Sequence, residues 1–292
     1  MYIVTGATGN TGSVVAKTLL EKGLPVRVIV RSEEKGKAWK ERGAEVAIAD
    51  VNDADALTNA LDGGKVLYLM NPPNEQSENM IDETEKVIKA FQTAIKNSSL
   101  EKLVVLSSVG GHLSSGTGVV YSLHLLEEAF GKSDIPVTFI RPPSFLENWN
   151  SVLETVKTDG VLPSFQQPLD KKYPQIATED IGRIAAETML ETSEGLQVKE
   201  LAGFEYSPND VAEAFSKVLG KQITAVPVPE DQWLGILGNF CTPRNAELMA
   251  ELFHGINNGD LPFETEDRIE VNVTIDDYAR EALQKSSAQT AN

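Results

Sequence analysis

Cysteine, histidine and basic charge are all scarce in this chain. The single cysteine, Cys241, has no partner for an internal disulfide, and 3 histidines leave too few ligands for a Cys/His zinc site. Against 43 acidic side chains stand 26 basic ones, a net charge of -17. That balance argues against a broad nucleic-acid footprint, which draws its affinity from clustered Lys and Arg, and against an anionic membrane surface. No apolar run approaches the roughly 20 residues that span a bilayer. Nor is there a basic leader with a cleavable apolar core, because the first apolar run, Tyr2-Ile3-Val4, already reads as a strand. The expectation is a soluble, reduced, cytoplasmic protein without metal, nucleic-acid or membrane partner, acting as a monomer or homodimer.

What is present is an ordinary globular composition, 41% hydrophobic, over 292 residues. Short β-branched runs alternate with helix-length segments through the first half. Strands are expected at 2–4, 26–30, 45–49, 66–70, 103–106 and 137–140, and helices at 13–21, 35–42, 54–61, 78–96 and 121–130. Such alternation implies βαβ crossovers and a doubly wound parallel α/β sheet of Rossmann type. Past about residue 150 the alternation weakens. Helices are expected at 179–191 with Thr178 as cap, at 208–219 behind Ser207-Pro208, at 233–237, at 246–254, and at 275–284 behind Thr274. The polar tail 285–292 reads as disordered. The division expected is a nucleotide-binding domain, 1–150, and a smaller, mostly helical part, 151–292, completing the sheet edge and one wall of a cleft.

The first strand runs directly into Gly6-Ala7-Thr8-Gly9-Asn10-Thr11-Gly12. A dinucleotide needs its pyrophosphate against backbone N–H groups at a helix N-terminus, and glycine removes the Cβ that blocks this approach. Gly6, Thr8, Gly9, Asn10, Thr11 and Gly12 are therefore candidate cofactor contacts. An acid at the end of the second strand would read the ribose hydroxyls of NAD; Arg31 stands there instead, with Lys35 one turn later. A guanidinium fits a 2′-phosphate, so the pattern points to NADP(H). The bland alternative is a pair of solvated charges beside Glu33 and Glu34. Asp50 and Val51 follow the third strand, where Asp50 fits an adenine amino group or caps a helix beside Asn52. Asn71 and Pro72, after the fourth strand, should lie along the nicotinamide ribose, or form a rigid loop without contact.

These motifs resemble the atypical short-chain dehydrogenase/reductase superfamily, and within it the NmrA-like group. The resemblance rests on Gly6–Gly12, on Val26–Arg31 with Lys35, and on Ile140-Arg141-Pro142 followed by Phe145-Leu146-Glu147-Asn148. It extends through Ile176–Ile181 and Val218–Lys221 to Asp276-Asp277-Tyr278. It implies either an NADPH-dependent reductase of quinones, dyes, phenolic ethers or imines, or a dinucleotide-sensing regulator acting through a protein partner.

Short-chain reductases commonly carry a Tyr with a Lys four residues later; here Tyr121 is followed by Leu125. The resemblance offers His124 and Glu128 instead, one turn apart and able to touch. His124 either relays a proton or packs beneath the cofactor, and Tyr121 either donates a proton or forms a pocket wall. Ser107 and Ser108 follow the fifth strand, facing substrate or capping the loop that follows. Phe145, Asn148 and Trp149 are candidate substrate contacts, and Phe165, Trp233 and Phe240 could extend an aromatic wall. Cys241 reads as a buried thiol. Without the Tyr–Lys pair, the chemistry expected is hydride transfer to a small electron-poor acceptor (quinone, iminium, azo or triphenylmethane compound), with water supplying any proton. A nucleotide-sugar epimerase on the same fold is disfavoured, because it needs repeated proton shuttling.

Overall fold

The backbone of the computed structural model is described for residues 1–290 and the side chains for residues 1–286. The first half lays down β1 (Tyr2–Val4), α1 (Asn10–Glu21), β2 (Val26–Val30), α2 (Glu33–Glu41), β3 (Glu45–Ile48), α3 (Ala54–Leu61) and β4 (Val66–Leu69). It continues with α4 (Met80–Lys96), β5 (Lys102–Leu106), α5 (Tyr121–Phe130) and β6 (Val137–Arg141). The remainder carries β7 (Ser144–Phe145), α6 (Leu153–Asp159), β8 (Val161–Ser164), β9 (Tyr173–Ile176), α7 (Thr178–Leu190), β10 (Leu196–Glu200) and β11 (Phe204–Tyr206). After these come α8 (Pro208–Leu219), β12 (Thr224–Pro227), α9 (Trp233–Leu237), α10 (Pro243–Asn258) and α11 (Ile275–Thr290).

Seven strands form one sheet in the order β10-β6-β5-β4-β1-β2-β3, with every pair parallel. Strand order reverses between β1 and β4, and in a doubly wound sheet that switch point opens a crevice above the carboxyl ends of the strands. Runs such as Val26-Arg27-Val28-Ile29-Val30 suit a sheet buried on both sides. One face is sealed by Val15, Leu19, Ile181, Ile184 and Met189 of α1 and α7. The other is sealed by Leu57, Val87, Phe91, Leu126 and Phe130 of α3, α4 and α5. On α4 the apolar residues Met80, Val87, Ile88, Phe91 and Ala94, with Thr84 among them, recur at helical spacing and all are buried.

The later part returns to this sheet through α7 and β10, then builds a separate annex. Its core gathers Leu146, Trp149, Leu153, Val156, Phe215, Tyr278 and Leu283 from the segment after β7 and from α6, α8 and α11. A smaller cluster around Trp233, Leu237, Cys241 and Ala246 joins α9 to α10.

Several expectations need correction. Helix α1 begins at Asn10 rather than Ser13, so the second glycine of the motif is itself the N-cap. Thr178 does not cap α7; its N–H and hydroxyl donate to the Glu147 carboxylate, at 3.0 Å and 2.7 Å, and that acid closes the helix end from outside. Helix α11 continues to Thr290 instead of giving way to disorder at 285, and residues 291–292 lie outside the described part. Strand β10 is not among the expected strands: Leu196-Gln197-Val198-Lys199-Glu200 has only two apolar residues, and both are exposed.

Candidate functional site: the crevice at the strand switch point

Thr5 fastens the end of β1 to β4. Its hydroxyl donates to the Tyr68 carbonyl at 3.0 Å and accepts the Met70 N–H at 2.9 Å. Gly6 follows in the left-handed region (φ 65°), and a Cβ there would lie 2.5 Å from Met70 Sδ. Gly12 presses its backbone against the Gly6 carbonyl and lies 2.6 Å, at a notional Cβ, from the Thr5 carbonyl, so α1 rises straight out of the turn. The start of α1 is left open. Gly9 caps it with no side chain, and its first turn carries no acid, whereas Ser32, Asp53, Asn79 and Ser207 cap α2, α3, α4 and α8. Thr8, Gly9 and Asn10 are exposed there. Free N–H groups at the positive end of a helix dipole, with no competing carboxylate, suit an anion such as a pyrophosphate. Thr11 differs from its neighbours: it is buried, and its hydroxyl accepts from the Tyr68 phenol at 3.1 Å. Burial pushes that phenol well above its ordinary pKa, so it stays a donor.

At the other side of the turn, Arg31 leaves the end of β2 exposed, with Lys35, also exposed, one turn on. Among the described residues neither side chain forms an ion pair, although Glu33 and Glu34 are adjacent. Two exposed, unpaired cations therefore stand together where β2 passes into α2. Asp50 accepts the Asn52 N–H at 2.9 Å and leaves α3 to be capped by Asp53. Val51 is half-buried beside it.

Toward the opposite end, sheet register lines up four polar residues. The pairings Leu69 with Val105, Leu106 with Ile140, and Arg141 with Glu200 carry on to place Asn71, Ser107, Arg141 and Glu200 in one transverse row. Asn71 donates to the Thr84 hydroxyl at 2.8 Å, which fixes it to α4. Ser107, buried, donates to Glu127 Oε1 at 2.5 Å. Arg141 grips the same carboxylate through Nε and Nη2 at 2.8 and 2.6 Å, and bonds Glu264 through Nη1. The buried Glu200 carboxylate accepts the backbone N–H groups of Glu264 and Thr265 at 2.9 Å. Glu127 and Arg141 are the residues that sequence reasoning missed. Arg141 stood out only as part of a family-like segment, and its pairing with a Glu on the facing helix gave no signal until the register set them opposite each other.

The anticipated contact between His124 and Glu128 does not form. Glu128 turns out to solvent toward Lys132 at 3.5 Å, and Glu127, one residue earlier, is the acid that faces inward. His124 places Nδ1 3.0 Å from the Gly111 carbonyl, which makes that nitrogen the donor, and its ring stacks on Tyr121 with centroids 5.7 Å apart. Ser107 faces Glu127 rather than open space.

The annex supplies fewer candidate contacts than expected. Trp149 is buried and donates its indole N–H to Gln175 at 2.7 Å, so it belongs to the annex core. Phe165 and Trp233 likewise pack edge-on to each other, at 5.7 Å between centroids. Phe145 is half-buried, Asn148 is exposed, and Phe240 presents 62% of its surface beside the loop after β4. Cys241 is buried, and burial, aided by Glu75, raises its thiol pKa. Among the described residues no group of His, Cys, Asp or Glu is arranged to hold a metal, and no helix is long and apolar enough to cross a membrane.

A chain with this sheet and this open glycine turn has known relatives. An NAD(P)H azoreductase of Xenophilus azovorans is 24% identical over 256 residues, covering 87% of this chain and 86% of that protein. Quinone oxidoreductase 2 of Escherichia coli is 27% identical over 266 residues, covering 89% and 90%. The crystal structure of Citrobacter sp. triphenylmethane reductase complexed with NADP(H) superimposes with a TM-score of 0.79 at 21% identity, over 97% of this chain and 100% of that one. The model of the NmrA-like family matches residues 2–281, and the chain belongs to that family.

Proposed function

We propose that this protein is an NADPH-dependent reductase that transfers hydride to a small electron-poor acceptor: a quinone, an iminium, an azo compound or a cationic triphenylmethane dye. The observation that carries the reading is the pairing of an uncapped α1 N-terminus with the unpaired Arg31 and Lys35, a cradle for a pyrophosphate and a 2′-phosphate along one crevice. The reductase names of the azo- and quinone-reducing relatives support the reaction class.

In this reading Thr8, Asn10 and Gly12 receive the pyrophosphate on backbone N–H groups, Gly9 closes the turn by donating its N–H to the Gly6 carbonyl at 2.8 Å, and Thr11 acts indirectly by tying the turn to Tyr68. Arg31 and Lys35 hold the 2′-phosphate, Asp50 and Val51 border the adenine, and Asn71, Pro72 and Ser107 lie toward the nicotinamide. The reduced nicotinamide, when bound, supplies the hydride. Phe145 and Asn148 border the acceptor, and the stacked rings of Tyr121 and His124 shape its pocket. His124 Nδ1 donates to the Gly111 carbonyl, and Leu125 stands where a lysine would activate Tyr121, so this reading assigns the proton to no side chain. An acceptor whose reduced form is a stabilised anion or a neutral molecule needs no positioned acid, and rate then comes from proximity and orientation. Exchanging Arg31 for Asp tests the cofactor half: NADPH affinity should fall about 10- to 100-fold, as expected for a lost charge-assisted bond, with NADH affected far less. Equal losses for both nucleotides would overturn the assignment.

A further inference from the structure

We propose that Asn245, on the annex helix α10, is a positioning residue for the nicotinamide end of the crevice. The inference rests on the function proposed above and concerns the loop 71–79, which leaves β4 through Asn71 and Pro72.

Asn245 is fully buried, at 0% exposure, and spends its whole side chain on that loop and on the first residue of α4. Its amide N–H groups donate to the carbonyls of Glu75 at 3.0 Å and Ser77 at 2.9 Å, and its Oδ1 accepts the Met80 N–H at 3.0 Å. An asparagine offers donors and an acceptor from one planar group, so a single side chain satisfies three backbone groups of a segment that has no strand partner of its own. Neighbouring residues repeat the attachment. Thr242 donates its hydroxyl to the Ser77 carbonyl at 2.8 Å and its N–H to Glu75 at 3.3 Å, and Gln76 reaches back to the Phe240 carbonyl at 2.6 Å.

The same helix also rests on the loop that follows β5. Gly118 has a positive φ of 55°, and a Cβ there would collide with the Leu248 carbonyl and come within 2.6 Å of the Leu252 nitrogen. Just past α10, Leu261 packs on Gly255 and on Gly110, 2.6 and 2.9 Å from notional Cβ atoms. One rigid helix thus sets the gap between the segment carrying Asn71 and Pro72 and the segment leading into Tyr121. Among the described residues, Arg31 and Asp50 at the adenine end form no hydrogen bond or ion pair with α10. Asn245 is therefore expected to act on one half of the cofactor only.

The test compares NADPH with 2′-phospho-ADP-ribose, which has the adenine half and lacks the nicotinamide. For Asn245→Ala, binding of the fragment should stay within about twofold, as for a distant independent site. Hydride transfer from NADPH to a quinone should slow by about tenfold to a hundredfold, the cost of a small misplacement of reacting groups. Thr242→Val removes one bond of the same attachment with little change of volume; it should show the same asymmetry more weakly, and decides the matter if the alanine variant fails to fold. Equal weakening of fragment and NADPH, or an unchanged transfer rate in a folded variant, would overturn the proposal. Wild-type protein that binds neither nucleotide overturns the underlying functional reading, a result visible before any variant is made.

Discussion

The Ser107 hydroxyl donates to Glu127 at 2.5 Å, and the same carboxylate neutralises the buried Arg141. The end of β5 is thereby locked to α5 and to β6 by one charge, and the segment at Glu264 is held to the far side of that arginine. Removing the Glu127 charge leaves the buried Arg141 with Glu264 and Glu200 alone as partners. Glu127→Gln is predicted to destabilise the fold by about 3 kcal/mol, the lower end for a buried pair broken from one side, in urea denaturation. Ser107→Ala, which removes only one donor, should cost about 1 kcal/mol. Comparable effects from the two substitutions would contradict the network as described.

Acid should loosen the outer end of this network. The hydrogen bond from Arg141 holds the Glu264 carboxyl below its ordinary 4.5. A depressed folded pKa means stability that is present above the unfolded value and lost as pH falls through the folded one. Because the Glu264 side chain is 55% exposed, screening limits its share to about 1 kcal/mol or less. Glu264→Gln should therefore lower stability slightly at neutral pH and flatten the loss below pH 4.5. A variant with the same acid profile as wild type would rule this out.

Two glycines in helices should respond in opposite ways. Gly182 on α7 faces Val14 so closely that a Cβ would come 2.8 Å from the Thr11 carbonyl as well. Gly182→Ala is predicted to cost about 1–3 kcal/mol through overpacking, and by pushing on Thr11 it should also weaken NADPH binding. Gly235 on α9 has open space at the corresponding point. There an alanine should stabilise by up to about 1 kcal/mol from helix propensity alone. Thermal unfolding of both variants checks the contrast.

Much of the fold that forms the crevice was legible in the sequence for definite reasons. Positive-φ glycines, β-branched runs and Ser207-Pro208 are local signals, and local signals survive into the fold: Ser207 forms a full capping box with Asp210. Arg31 and Lys35 stood out because charge at a strand end needs no tertiary knowledge. The remainder depended on long-range placement. Whether Glu127 or Glu128 faced inward turned on one residue of helical phase, about 100° of rotation. Trp149 looked like a pocket wall because an aromatic beside a polar run is ambiguous until its partner, Gln175 on β9, is seen. Thr178 looked like its own helix cap, while the acid that closes α7 comes from Glu147, 31 positions away.

A proton-transfer role for the head of α5 is separable from a shaping role. General acids contribute about 100- to 10,000-fold, so Tyr121→Phe and His124→Ala should each keep turnover of a quinone within about tenfold of wild type if the rings only shape the pocket. Loss in the larger range, with a pH profile that changes shape, would assign the proton to one of them.

Consumption of NADPH by the purified protein in the presence of a quinone, a triphenylmethane dye, an azo dye, a cyclic imine and a simple ketone, with NADH in parallel, tests the central claim most directly. The account predicts turnover of at least one of the electron-poor acceptors, with NADPH preferred over NADH and the simple ketone left unreduced. Tight NADPH binding with no turnover across the panel would contradict it, and would favour a dinucleotide-sensing role exercised through a protein partner.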